Sequence, residues 1–340
     1  MVQLFPIYYL GRGYGLPEYS WHLSVVDAGN PRGELQGEAA LRRVSDSRDD
    51  VFGSVEAEMA ESRWRLLLED GTVRDLVFGM QDGVPITGDF DGDGISEIGV
   101  FRKGKWYIDL NGNGEWDQDD LWAELGGEVD RPVVGDWDGD GKTDIGVFGP
   151  SWPNDNRAAA AEPGLPDPQN PPNGAYKNVP PKPAQAAVGW RKMRKTAQGK
   201  TRSDLVDHVF YFGTERDTPV AGDWNGDGVA TIGIFQGGVW ILDDNGDGQW
   251  LVGESMFEFG ERGDKPLVGD FDGDGVDQIA VFRDGVFYID SNNNRRLDAG
   301  DQIIQHGGVG DRPVVGDWDG DGRDEVGVYE AGMAVKPEGQ

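Results

Sequence analysis

Short apolar runs of four to six residues, each cut off by glycine, aspartate or asparagine, dominate the central and C-terminal parts of the chain. In the first complete unit, residues 85–88, 98–101, 105–109 and 121–125 are β-prone. An acidic loop over 89–94, a Lys103-Gly104 turn and a second polar loop over 111–120 separate them. Runs this short do not sustain a helical face, but they are ordinary strand lengths. The pattern predicts four short strands per unit. The same order returns over 219–260 and 266–306, with third strands at 239–242 and 286–290 and fourth strands near 256–259 and 302–305. A unit beginning at Pro132 keeps its first two strands and departs at Gly149. A fourth-strand match follows it at 208–213, after an intervening segment, 151–207, that opens with many prolines.

Spacing turns these units into an architecture. The acidic loops begin at Asp89, Asp136, Asp223, Asp270 and Asp317; the separation is 47 residues within each complete step and 87 between Asp136 and Asp223. A fixed period with four strands per repeat predicts an all-β fold, a β-propeller of four-stranded blades. The last unit, from Pro313, has only two strands, ending at 325–329. Residues 64–68 and 73–78 form a hairpin about a Glu69-Asp70-Gly71 turn and lack the two strands that would precede them. Pairing this N-terminal hairpin with the C-terminal strands completes a blade and removes an open edge. The expectation is five blades; six or seven is the alternative if residues 21–60 or 151–207 hold a degenerate one. The expected organisation is an extended aromatic arm over 1–20 and an irregular segment over 21–62, with a strand candidate at 21–26. The propeller follows over 63–330 with 151–207 inserted, and a tail occupies 331–340.

Charge changes the picture more than composition does. Hydrophobic residues make up 37% of the 340, with Trp 12, Phe 14 and Tyr 9, so Gly 54 and Pro 19 mark the turns of a folded β protein. A net charge of −31 repels nucleic acid and anionic lipid, and it opposes compaction unless cations sit among the carboxylates. With no cysteine, thiolate chemistry and disulfide bonds are both excluded. No stretch approaches the roughly 20 apolar residues of a membrane-spanning helix. The apolar residues 5–10 lack a preceding basic region and a following cleavage site, and are not read as a signal peptide. Arg191, Lys192, Arg194, Lys195, Lys200 and Arg202 in the insertion predict docking onto the acidic body of the same or an adjacent chain.

The acidic loops carry the candidate chemistry. Their spacing is D-x-D/N-x-D-G with a further oxygen donor four residues on: Asp89, Asp91, Asp93 and Glu97; Asp136, Asp138, Asp140 and Asp144; Asp317, Asp319, Asp321 and Glu325. Alternate carboxylates in a tight loop converge on one point, and hard oxygen ligands without His or Cys select calcium. Asp223, Asn225 and Asp227 are followed by Thr231, and Asp270, Asp272 and Asp274 by Gln278, so these two sets lack a charged ninth ligand. A second class of loop joins third to fourth strands. Asp243, Asn245, Asp247, Gly248 and Glu254 match positions one, three, five, six and twelve of an EF-hand loop. Asp109, Asn111, Asn113, Asp117 and Asp120 follow the same spacing, as do Asp290, Asn292, Asn294, Asp298 and Asp301, where Arg295 stands in place of the glycine.

Trp106, Trp240 and Phe287 occupy matching third-strand positions and predict packing between blades rather than a sugar-binding platform. His22, His208 and His306 stand alone, without a nucleophile at motif spacing, and the carboxylates are accounted for as metal ligands; no catalytic residue is assigned.

The loop cores GDFDGDGISEIGVF, GDWDGDGKTDIGVF, GDWNGDGVATIGIF, GDFDGDGVDQIAVF and GDWDGDGRDEVGVY resemble the FG-GAP/VCBS repeats of integrin α-subunit propellers and their bacterial secreted or surface-anchored relatives. The resemblance implies calcium in each such loop on the propeller rim, an extracellular or cell-surface location, and a structural or adhesive role. It usually implies seven blades. Partners would be proteins, including copies of the chain itself through 1–20 and 151–207. The alternatives are a glycan- or protein-binding propeller and, behind it, a hydrolase acting on polysaccharide.

Overall fold

In the computed structural model the described residues are 22–26, 42–43, 62–149 except 118, 138 and 140, and 208–332 except 211, 214, 215 and 245–254. The N-terminal arm, the insertion and residues 333–340 lie outside them. The architecture is all-β and propeller-like, made of antiparallel four-stranded sheets, each named here by the aspartate that opens its acidic loop.

The Asp89 sheet orders Val84–Gly88, Glu97–Arg102, Lys105–Ile108 and Leu121–Glu124 from inside to outside, and Arg42–Arg43 adds a short fifth strand beyond them. The Asp223 sheet orders Thr218–Gly222, Thr231–Gln236, Val239–Leu242 and Ser255–Glu258. The Asp270 sheet repeats that order with Lys265–Gly269, Gln278–Arg283, Val286–Ile289 and Gln302–Gln305. In the Asp317 sheet, Arg312–Gly316 and Glu325–Glu330 are joined by Arg63–Leu67 and Val73–Val77, with Gly327 opposite Leu66. The N-terminal hairpin therefore completes the C-terminal unit, as its spacing predicts. In the Asp136 sheet, Arg131–Gly135 and Asp144–Gly149 are followed by His22–Val26 and then His208–Phe210. The strand candidate near the N-terminus thus occupies the third place that this unit lacks in its own stretch of sequence.

The innermost strands touch in the order Val84–Gly88, Arg131–Gly135, Thr218–Gly222, Lys265–Gly269, Arg312–Gly316 and back to Val84–Gly88. Each has proline at its second position, and Pro85, Pro132, Pro219, Pro266 and Pro313 all line a central cavity of about 510 Å³. A sheet edge facing a cavity is where a missing N–H forfeits no ladder bond. Glycine closes each of these strands because the next sheet is too near for a side chain: a Cβ on Gly222 would lie 2.6 Å from Val268.

The second strands are buried along nearly their whole length, since both faces are covered by neighbouring sheets. The hydrophobic core accordingly lies between sheets. One cluster joins Phe101, Trp106 and Ile108 of the Asp89 sheet to Ile145 and Val147 of the next; another joins Trp64 and Tyr329 of the Asp317 sheet to Ile98 and Val100 of the Asp89 sheet. Trp106, Trp240 and Phe287 are 0% exposed, and each packs edge-on or tilted against the aromatic ending its second strand, with centroids 4.9, 5.1 and 4.8 Å apart. The indole N–H groups of Trp106 and Trp240 donate to Leu125 and Phe259 carbonyls. These rings are core, and a sugar cannot reach them.

Candidate metal centres

Each acidic loop is wound around its first aspartate. Asp89 Oδ1 accepts the backbone N–H groups of Gly92 at 2.6 Å and Asp93 at 3.1 Å, and Oδ2 accepts that of Gly94 at 3.0 Å. Asp223, Asp270 and Asp317 repeat the pattern, and Asp136 does so with Gly139 and Gly141. These bonds curl the loop so that later carboxylates face the first. The ninth-position side chain then ties the loop to its strand: Glu97 Oε2 accepts from Phe90 N at 2.8 Å, Glu325 Oε2 from Trp318 N at 3.1 Å and Asp144 Oδ2 from Trp137 N at 3.3 Å.

Convergence follows. Oxygens of Asp89, Asp91, Asp93 and Glu97 all lie within 4.8 Å of one another, as do those of Asp270, Asp272 and Asp274, and those of Asp317, Asp319 and Glu325. Asp321 stands outside the last group and accepts from Arg323 N. Asp138 and Asp140 lie outside the described residues. In the Asp223 loop, Thr231 donates its hydroxyl to the Asp243 carbonyl at 2.9 Å and supplies no carboxylate at the ninth position. Gln278 keeps the ninth-position bond, accepting from Phe271 N at 2.8 Å, but its amide nitrogen meets Asp272 Oδ1 at 3.3 Å. The amide adds a side-chain donor to a third-position carboxylate oxygen that in the Asp89 loop accepts from the backbone N–H of Asp93.

Electrostatics mark the same places. Glu97, 5% exposed, has its pKa pushed up to about 8, first by burial and then by Asp91, Asp89 and Asp93. Glu325 rises to about 7 for the same reasons, with Asp319, Asp317 and Asp321 as the neighbours. Carboxylates gathered in this way can coordinate a hard divalent cation, whose charge would offset both the burial and the repulsion.

The loops also bind one another. The eighth-position N–H of each donates to the first-position carbonyl of the loop before it: Ser96 to Asp317, Thr143 to Asp89, Ala230 to Asp136, Asp277 to Asp223 and Asp324 to Asp270, at 2.6 to 2.9 Å. Three of these residues also accept through the side chain: Ser96 from Asp317 N, Asp277 from Asp223 N and Asp324 from Asp270 N. Asp277 and Asp324 line the central cavity; burial first, then the charges of Asp223 and Asp270, raise Asp277 to about 7, and burial, then Asp277, Asp270 and Asp317, raise Asp324 to about 8. Ligand spacing does not flag either residue; the signal lies in the eighth position of the aligned loops, where the sequence runs Ser, Thr, Ala, Asp, Asp.

In the second loop class, Asp109 accepts from Asn113 N at 3.1 Å and Gly114 N at 2.6 Å, and Asp290 accepts from Asn294 N at 3.0 Å and Arg295 N at 2.6 Å. Asn111 and Asn113 donate to Asp117, and Asn292 and Asn294 to Asp298. Asn245, Asp247 and Glu254 lie outside the described residues, leaving only Asp243 of that set, fully buried at its loop entrance. Among the described histidines with a placed side chain, His306 is structural, its Nε2 lying 2.9 Å from the Arg65 carbonyl across two sheets.

No protein-family model matches the chain, and a search of curated proteins finds none similar to it.

Proposed function

We propose that the chain is a calcium-stapled, five-bladed propeller serving as an extracellular structural or adhesive module, related to the FG-GAP/VCBS repeats its loop cores resemble. The observation that carries this reading is the convergence of Asp89, Asp91, Asp93 and Glu97 oxygens within 4.8 Å of one another, in a loop whose Asp91 carbonyl also accepts from the Lys142 ammonium. Calcium suits an all-oxygen donor set in a flexible loop better than magnesium, which demands a small octahedral shell. Ions there act on the whole ring, because every acidic loop is bonded to the loop before it. The five sheets and the closed circuit of innermost strands support the blade count.

No catalytic role is proposed, and protein partners, including further copies of the chain, fit the acidic, cation-dependent body. Thermal unfolding with calcium and with chelator tests the reading. A cation that binds only folded loops raises stability by about 2.7 kcal/mol per site at a hundredfold excess over its dissociation constant. Calcium is expected to raise the melting temperature by many degrees, and an unchanged midpoint would remove the proposal. Self-assembly is tested separately by sizing the full chain against one lacking residues 1–20; a monomer in both cases removes that clause.

A further inference from the structure

Two of the loops between third and fourth strands, 109–120 and 290–301, share a feature that their spacing does not reveal. In loop 109–120, Asp120 is 0% exposed; its Oδ2 accepts from Asp117 N at 2.7 Å, and its Oδ1 has no hydrogen-bond partner. In loop 290–301, Asp301 Oδ2 accepts from Asp298 N at 2.6 Å, and its Oδ1 is again buried without a partner. A buried carboxylate oxygen without a donor carries a desolvation penalty that no bond offsets. Both atoms are the twelfth-position oxygen of their loop. Asp120 lies near enough to Asp109 and Asp117 for their charges to act on it, and Asp301 likewise acts on Asp290.

Both loops also press on the sheet before their own. Arg74 donates to the Gly112 carbonyl at 2.9 Å, and a Cβ on Gly114 would meet Leu76 at 3.2 Å. In loop 290–301 the residue equivalent to Gly114 is Arg295, held at φ +63°. Its guanidinium reaches Asp244 Oδ1 at 3.0 Å and the Ser255 hydroxyl, and lies 5.0 Å from the centre of the Phe257 ring. Leu76 pairs with Trp64, and Phe257 with Trp240, so the two contacts fall at the same place in two different blades. Arg295 therefore points out of its own loop and does not fill it.

We propose that loops 109–120 and 290–301 are a second, outer class of divalent-cation site, in which Asp120 and Asp301 complete the ligand set and the bound ion fixes each loop against the preceding sheet. The inference rests on the calcium reading above and extends it to loops outside the repeated acidic motif. The ligand positions hold Asp and Asn throughout, and a calcium-like ion would draw in the Asn amide oxygens once the amide nitrogens turn away from Asp117 and Asp298, to which they donate in the structure.

The test is the number of calcium ions bound per full-length chain, measured by equilibrium dialysis and atomic absorption, for the natural protein and for the double variant Asp120→Asn, Asp301→Asn. The expected result is two ions fewer in the variant, with the remaining ions unchanged in affinity. An unchanged count overturns this inference and leaves the calcium reading standing, whereas a natural protein that binds no calcium removes both. If the double variant does not fold, Asp117→Asn with Asp298→Asn provides the same test from the exposed side of the loops. A fall of tenfold or more in affinity for two ions supports the sites, and unaltered binding overturns them.

Discussion

At the scale of the residue, the ninth position of the acidic loop decides the character of each centre. Glu97 and Gln278 make the same bond to a second-position N–H, so one backbone geometry serves a charged and a neutral side chain. They differ in the remaining atom, which is a carboxylate oxygen in Glu97 and an amide donor to Asp272 in Gln278. Glu97→Gln is therefore expected to act with opposite signs in two conditions. In chelator it removes a buried charge repelled by three aspartates and stabilises the fold; in calcium it removes a ligand and destabilises it. Each effect is expected to be about 1 to 3 kcal/mol, the range for a buried polar group gaining or losing its counterpart. Urea unfolding at pH 8 in the two conditions checks this, and a shift of the same sign in both would contradict it. The sequence shows which residues stand at the ninth position, and Thr231 and Gln278 are legible there as departures. Where Thr231 sends its hydroxyl is not legible, because its acceptor, the Asp243 carbonyl, belongs to the far end of another strand.

At the scale of the element, closure depends on strands that meet across most of the chain. The first and second strands of every unit are plain in the sequence because acidic loop and apolar run alternate in fixed register. The place of His22–Val26 is not, since a single strand carries no mark of its partner, and here the partner Asp144–Gly149 lies more than a hundred residues away. Arg42–Arg43 is shorter still and has no apolar pattern at all. The hairpin is the exception, because it is conspicuous by lacking the strands that complete a unit. Its anchor is Trp64, 0% exposed, with its indole N–H donating to the Phe78 carbonyl at 2.7 Å and its ring 4.9 Å from that of Tyr329. Tyr329 in turn reaches Ser62 and the Met80 carbonyl, drawing both ends of the described propeller together. Trp64→Ala is expected to cost about 3 to 5 kcal/mol, as for other buried large aromatics. The loss should appear in calcium as well as in chelator, because the seam is held by packing. A midpoint lowered in only one of the two conditions would place the closure in the metal loops instead.

At the scale of the whole molecule, the buried carboxylates of the loops tie stability to pH, and the proposed ions would tie it to cations as well. Glu97, Glu325, Asp120, Asp277 and Asp324 all have folded-state pKa values raised to about 7 or 8, in each case chiefly by burial, and Asp109 is raised to about 6. Between the ordinary carboxylate range and these values the folded chain holds more protons than the unfolded one, so raising the pH favours unfolding. The cation-free protein should therefore be most stable near pH 5 and lose stability steadily up to about pH 8. On the proposed calcium reading the balance reverses: an ion held by the ionised carboxylates would compete with their protons and bind more tightly as the pH rises. Melting temperatures measured from pH 5 to pH 8 should fall with pH in chelator and stay level or rise in calcium, so that the gap between the two curves widens toward pH 8. Parallel curves would mean that these buried carboxylates are not where the cation acts. Asp277 and Asp324 separate the two contributions, because they belong to the loop-to-loop bonds at the central cavity and not to the converging ligand groups. With Asp277→Asn and Asp324→Asn, the slope in chelator should flatten while the gain from calcium at pH 8 persists, which would assign the proton-linked strain to the ring contacts and the ion-linked gain to the loops.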